Sequence, residues 1–448
     1  GRWLAAVLGG GEGLRVYDAE RGFRQVFADP NYGSDSYGCA FSPDSRSLVT
    51  TCWDGQVRRY RLQGSSFRKE RQVTAQGGTQ PYSIAFHPSG NRLALGFADS
   101  TVVEVLDAEQ LTQLYAPDSS GLDNNSLDSV TWSADGSLLF AGGRYYDGST
   151  FPLFRWSNKG RGQRTSWQAA DMTVMDFALL PDGDLLVGTA DPTLLRYDRQ
   201  GRQLFDLRPD LPDMRQHYDK FQVSRDGRQV SFGLKLWGKN PVCFDFKRRQ
   251  LDKGPCQGSL TAPRTEAPGL KIADWKNKYK PTLNSQLLAL KDYERSRSLA
   301  IAPDKQHFLL GTEWRLRYFD RQGKEVWQQD VPGVAWGVNI SGNGRLAVAA
   351  FADGTVRWFR LTDGEPLLAL FVTKDASNWV AWTPSGWYDS SPGGDSLIGW
   401  QVNNGKEQVA DFFPAALFRK QFYRPDVVAV VLETLDERRA VVRADAAS

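Results

Sequence analysis

The chain has 448 residues with 55 basic and 52 acidic side chains, a net charge of +3. That near-balance excludes a strongly basic nucleic-acid binder, and no apolar run approaches the roughly 18 residues of a membrane-spanning helix. Fifteen Trp, 15 Tyr and 24 Phe suit a sheet-rich protein, because flat aromatic rings pack well on pleated surfaces.

The chain opens with three predicted strands, Trp3 to Leu8, Leu14 to Tyr17 and Phe23 to Phe27, in the register of a repeat that has lost its first strand. Gly9 to Gly13 lies between two strands, so it reads as a turn and not as a phosphate loop, which requires a following helix. The first complete repeat begins near Tyr37 to Phe41.

The clearest copy is Tyr82 to Asp107: strand Ser83 to Phe86, turn His87-Pro88-Ser89-Gly90, then strands Leu93 to Phe97 and Thr101 to Leu106. The fourth turn position recurs at Ser45, Gly90, Gly136, Gly183, Gly227, Lys305, Gly344 and Gly386, in steps of 45, 46, 47, 44, 78, 39 and 42 residues. Steps of about 40 to 45 residues mark four-stranded propeller blades. The predicted fold is therefore an all-β β-propeller over residues 1–402, with eight blades, or seven if one repeat is irregular. Pairing the last first strand, Trp379 to Trp382, with the three N-terminal strands would close it and hide both sheet edges.

The long step holds residues 247–294, about 30 more than a blade needs, and its four prolines predict an irregular excursion. Its Lys271 to Lys280 run mixes four lysines with Trp275 and Tyr279, but Asp274 and the low net charge favour a solvated loop over a nucleic-acid site. Residues 403–448 read as a helical extension: Phe413 to Phe422 with Pro414 in its first turn, then a helix from Pro425 to about Ala444. Val427, Val428, Val431, Leu432 and Leu435 share one face of that helix, which should pack on a neighbour.

Candidate chemistry is sparse. Cys39, Cys52 and Cys243 fall on strands and read as reduced core thiols. Pro255-Cys256-Gln257-Gly258 has a Cys-x-Gly core, but His217 precedes Tyr218 and Cys256 sits in the excursion, so no catalytic pair is assigned. Of the three histidines, His87, His217 and His307, His87 and His307 sit at or just after turns of different repeats, so neither a His-His metal spacing nor a triad can be argued. No catalytic residue, metal or cofactor is assigned. Asp128 and Asp176 are among the few acids on first strands, where a propeller enzyme, the competing class, would need several; a purely structural spacer is the third.

A binding face is better supported. Connections between second and third strands carry Trp53, Arg144, Tyr145, Tyr146, Lys235, Trp237, Glu313 and Trp314, and loops before first strands add Tyr32 and Tyr82. Aromatic residues and arginine dominate interface hot spots, although a loop aromatic can also fold back onto its own sheet.

Tyr17-Asp18, Leu106-Asp107, Tyr197-Asp198, Phe244-Asp245 and Phe319-Asp320 stand where the WD-repeat family places Trp-Asp, and Asp54, Asp99, Asp191 and Asp353 resemble its turn aspartate. Its Gly-His pair is absent, so its buried polar network is not expected. Trp379 to Trp400 (WVAWTPSGWYDSSPGGDSLIGW), Phe412 to Val428, Asp274 to Pro281 and Ser296 to Asp320 resemble the propeller region of bacterial proteins that join WD repeats to a caspase-like peptidase domain. The resemblance implies a non-catalytic sensing module, cytoplasmic, whose partner is another protein or domain, including such a peptidase of the same parent. It also implies that the chain is a fragment, with any peptidase activity on sequence beyond it. No nucleic-acid or membrane partner is expected.

Overall fold

A computed structural model of the protein describes residues 1–170, 172–190 and 193–447. The chain forms two compact units, Gly1–Pro209 and Asp210–Ser448. Short antiparallel sheets dominate both, as expected for the all-β class.

In the first unit a three-stranded sheet (Trp3–Val7, Leu14–Asp18, Arg24–Asp29) precedes four meanders of four strands each, which begin at Cys39–Phe41, Pro81–Phe86, Ser129–Trp132 and Val174–Leu179. The second strands are almost wholly buried, as in Ser47–Thr51 and Leu139–Gly142. The repeating turn holds its fourth residue left-handed, so Gly is favoured there. Gly136 shows the second reason: a Cβ would stand 2.2 Å from the His87 ring of the preceding repeat.

The second unit departs from the sequence expectations in five places. Trp379–Trp382, expected to pair with the N-terminal strands, has both edges taken by strands of its own unit. It pairs with Pro366–Val372 on one edge (Val372↔Trp379, Ala369↔Trp382) and with Tyr388–Ser390 on the other (Val380↔Ser390), giving a six-stranded sheet. The turn from Thr373 to Asn378 is short, with Thr373 N–H donating to Asn378 O and Ala376 N–H to Thr373 O. Pairing with the strand just before it costs far less loop entropy than pairing across the chain.

The 247–294 excursion is more ordered than expected. Gln250–Lys253 completes one meander, Leu260–Thr261 pairs with Gln222–Ser224, and Ile272–Ala273, Thr282–Leu283 and Gln286–Leu287 make a small sheet. Leu270, Ile272, Leu283 and Leu288 are buried against Leu299, Ile301, Phe308 and Phe319, so the excursion supplies core to the next meander.

Cys243 is not a reduced thiol: it forms a disulfide with Cys256, closing a loop with a sequence separation of 13. Neighbouring strands bring the two together, a proximity their sequence spacing does not announce. Cys39 and Cys52 are free, as expected.

The expected first helix is largely strand. Asp411–Pro414 pairs with Gly399–Val402, Pro414 precedes rather than opens the helical turn Ala415–Phe418, and only Arg419–Phe422 is α-helical. The second helix breaks: Pro425–Thr434 ends at Leu435, which is left-handed, and Asp436 accepts from Arg439 N–H to start Glu437–Asp445. Val427, Val428, Val431 and Leu432 are buried against Phe232, Phe244, Val348 and Trp358.

The meander beginning at Ala335 has successive residues of Leu346–Phe351 facing opposite ways. Leu346, Val348 and Ala350 share a core with Val223, Val230 and Phe244, whereas Ala347, Ala349 and Phe351 share one with Leu309, Leu316 and Trp327. This meander is thus flanked by the one before it in sequence and by the one two before it. Trp358 Nε1 donates to Gly227 O at 2.8 Å, and Asn339 Nδ2 to Phe221 O at 3.0 Å and Thr261 O at 2.8 Å, fastening that non-consecutive pair.

Candidate partner-recognition loops

The loops of the first unit rest on a buried network. Tyr32 OH lies 2.6 Å from Thr50 Oγ1 and 2.9 Å from Tyr60 OH, and Tyr60 OH donates to Asp29 Oδ2 at 2.8 Å, where Lys69 Nζ also pairs at 3.0 Å. Burial pushes the Tyr32 hydroxyl up to about 12 and Tyr60 further upward, so both stay protonated. Tyr32 is a core residue and leaves the binding set.

A buried polar network was not expected without the Gly-His pair, yet here a tyrosine pair builds one. Asp54 holds the adjoining turn, receiving both outer nitrogens of Arg58 and the amides of Gly33 and Gln56 at 3.0 Å each. Burial would raise its carboxyl, but these donors win and bring it to about 2. Asp99 receives Thr79 and Gln80, and Asp353 pairs with Arg357 at 2.8 Å, while Asp191 lies outside the described residues.

On this base stands an aromatic stack. Tyr37, 46 % exposed, lies between Trp53 (ring centroids 4.8 Å apart) and Tyr82 (4.9 Å, stacked). Trp53 N–H donates to Asp35 O at 2.8 Å, while its buried Nε1 has no partner. Beside the stack is Asp128, 4 % exposed, with Arg144 Nε 3.7 Å from Oδ2 and Ser126 and Ser129 donating to it. Burial outweighs these contacts and pushes the Asp128 carboxyl to about 6. Arg144 is exposed over this carboxyl, and Met175 and Asp176 are exposed on the strand start that Ser129 Oγ reaches through Met175 O.

Tyr145 is a correction: it is buried, edge-on to Phe154 at 5.5 Å, and belongs to the core. Its neighbour Tyr146 points the other way, 40 % exposed against Phe151.

In the second unit, Lys235 pairs with Lys239 across a tight turn, and Trp237 at its tip is left-handed and 56 % exposed. Trp314 is 45 % exposed, its turn held by Thr312 Oγ1, which accepts from Trp314 and Arg315 N–H. Glu313 is engaged by Arg297 and by Arg295 N–H at 3.2 Å. Tyr37 was not selected from sequence, although it stands one 45-residue step before Tyr82 and the repeat could have pointed to it. Arg295 and Arg297, at the start of the strand Ser296–Ile301, were not selected from sequence either.

Each histidine has partners within its own surroundings. His87 Nδ1 accepts from Ser89 N–H and Nε2 donates to Gly136 O; His217 is buried between Met214 O and Gly233 O; His307 pairs with Asp304. Burial lowers the basicity of His87 and His217. The disulfide removes the Cys256 thiolate. Among the described residues no group of three or more His, Cys, Asp or Glu could hold a metal, and no helix is long and apolar enough to cross a membrane.

Residues 31–61 match the family WD40: WD domain, G-beta repeat. They span the Tyr32–Thr50–Tyr60 network and the Asp54 turn. The chain thus carries a WD40 repeat within an all-β fold of the WD-repeat propeller class, and such repeats generally act as scaffolds for protein interaction. No curated protein matches the chain.

Proposed function

We propose that this chain is a non-catalytic recognition module that captures a protein segment on the exposed aromatic loops, with Tyr37, Trp53 and Tyr82 as the anchor in the first unit. The Tyr37-centred stack carries the reading. Three rings held at 4.8 and 4.9 Å by loop hydrogen bonds form a rigid amphipathic surface that loses little entropy on binding. Arg144 lies near Tyr82, and Tyr146 is exposed two residues further on, while Lys235, Trp237 and Trp314 provide exposed aromatic and cationic groups in the second unit.

The likeness of the 379–428 segment to bacterial proteins with a caspase-like domain supports a narrower role, in which the module senses a signal and restrains such a peptidase of the same parent protein. The propeller body then comprises residues 1–402 and the extension 403–448. The Cys243–Cys256 disulfide is of a kind retained in oxidising compartments, which weighs against the cytoplasmic expectation.

Two measurements test the proposal. Tyr37→Ala with Trp53→Ala and Tyr82→Ala should remove specific proteins from those captured by the wild type while thermal unfolding stays cooperative; an unchanged set of captured proteins refutes the anchor. Reading the gene on both sides of residues 1–448 tests the narrower role, which fails if no peptidase domain is encoded there.

A further inference from the structure

The second unit carries a cationic aromatic surface built from parts far apart in sequence. Arg295 lies 4.5 Å over the Tyr279 ring and Arg297 4.7 Å over Trp336, with Asn277 Oδ1 accepting from both guanidiniums. Lys276 Nζ sits 4.7 Å over Tyr218 and 5.0 Å over Trp275. The backbone locks this arrangement: Asn277 N–H donates to Ser296 O at 2.9 Å and Ser296 N–H to Lys278 O at 2.8 Å. Next to Tyr218, the Lys220 side chain packs on Gly238, which follows exposed Trp237.

The charges are uneven. Lys276, Lys278 and Arg295 have no carboxylate within ion-pair reach among the described residues, and the Nε atoms of Arg295 and Arg297 are buried without a partner. The outer nitrogens of Arg295 donate to Asn277 Oδ1 and Tyr279 OH and those of Arg297 to Asn277 Oδ1 and Glu313, so the arginines supply positive field while Lys276 and Lys278 are the cations open to a carboxylate. Beside them lies a cavity of about 210 Å³ whose apolar walls are Tyr218, Pro263, Trp275, Leu299 and Val338, with Asp219, Thr265, Lys276 and Ser298 completing its lining, room for one side chain. Lysines beside a cavity with aromatic and aliphatic walls match a segment in which carboxylates flank an aromatic or aliphatic anchor.

We propose that this surface binds an extended acidic polypeptide segment, its anchor side chain in the 210 Å³ cavity and its carboxylates on Lys276 and Lys278. A polypeptide fits better than a nucleic acid. Carboxylates interrupt the cations, with Glu313 on Arg297 and Asp219 on Lys220 at 3.3 Å, and would repel a continuous phosphate backbone. The same carboxylates leave a mixed-sequence peptide a defined register. The site lies within one unit and is independent of the Tyr37 stack.

The test is fluorescence anisotropy with a labelled 12-residue peptide of repeating Glu-Glu-Phe, and with a labelled oligothymidylate, on the full chain. The peptide should bind, and more weakly as salt rises. Lys276→Glu with Lys278→Glu, both exposed, should weaken it at least tenfold without changing the melting temperature, whereas Lys406→Glu on the exposed 399–414 hairpin should leave it unchanged. Trp53→Ala should also leave it unchanged, which separates this site from the first-unit anchor. No peptide binding, binding indifferent to the double charge reversal, or tighter binding of the oligothymidylate overturns the proposal.

Discussion

The Tyr32 network of the first unit and the Glu294 network of the second do the same architectural work with opposite chemistry. Each ties the loop before a first strand to the second and third strands. In the first unit the links are hydroxyls, Tyr32 on Thr50 and Tyr60, with a single carboxylate at the end. In the second, Glu294 is fully buried and receives Thr312 Oγ1 at 2.6 Å and Arg317 at 2.6 and 3.0 Å, and Arg317 also pairs with Glu325. The fold requires a satisfied polar junction there and does not dictate whether it is neutral or ionic.

The two chemistries should fail differently. The largest effect is expected from Glu294→Ala, which strands Arg317 in the core and should cost about 3–5 kcal/mol in denaturant unfolding. A loss below about 1 kcal/mol would mean that Glu325 alone satisfies Arg317. The Glu294 carboxyl also titrates: burial alone would raise it, but Arg317 and Thr312 hold it below the usual range. A depressed carboxyl contributes stability above its unfolded value, near pH 4, and loses it as pH falls through the folded value. Acid unfolding should therefore be steeper in the wild type than in Glu294→Gln.

Removing the disulfide with Cys243→Ser and Cys256→Ser should cost about 3 kcal/mol for a loop of this size. Unchanged stability would show that the excursion docks without it. Asp128 should act with the opposite sign to Glu294. Burial lifts it to about 6, so the folded form gains relative stability as pH drops from about 6 toward the unfolded value and loses it above. Asp128→Asn is expected to stabilise the protein at pH 8 by about 2 kcal/mol and to flatten its pH profile there; destabilisation at pH 8 would show that Arg144 compensates the charge. The smallest effect belongs to Tyr60→Phe, about 1 kcal/mol, because Lys69 still pairs with Asp29; a cost like that of Glu294→Ala would erase the contrast between the junctions.

Much of this was legible in the residues. The eight turn positions located a first strand beside each of them, since alternating apolar side chains and a turn with Pro or Gly are local signals. Trp53 and Trp237 lie in turns between strands, as their break in the pattern suggested, whereas Tyr82, expected in the loop before a first strand, lies within the strand Pro81–Phe86. Tyr145 and Tyr146 were not separable: adjacent residues point to opposite sides, and sequence does not say which side is core. The cationic surface was only half visible, as the Lys271 to Lys280 run, because Arg295, Arg297 and Trp336 join it through folding.

By itself, the sequence determined the repeat, the all-β class, the strand-forming segments and the aromatic loops, all of which depend on contacts within about 45 residues of chain. Tertiary structure alone decided that Trp379–Trp382 extends the sheet before it, that the Ala335 meander is flanked by a non-consecutive neighbour, and that Cys243 meets Cys256. Strands of similar apolar pattern are interchangeable as partners in sequence. The choice among them rests on loop entropy and on which side chains fill the shared core, and these are properties of the folded chain.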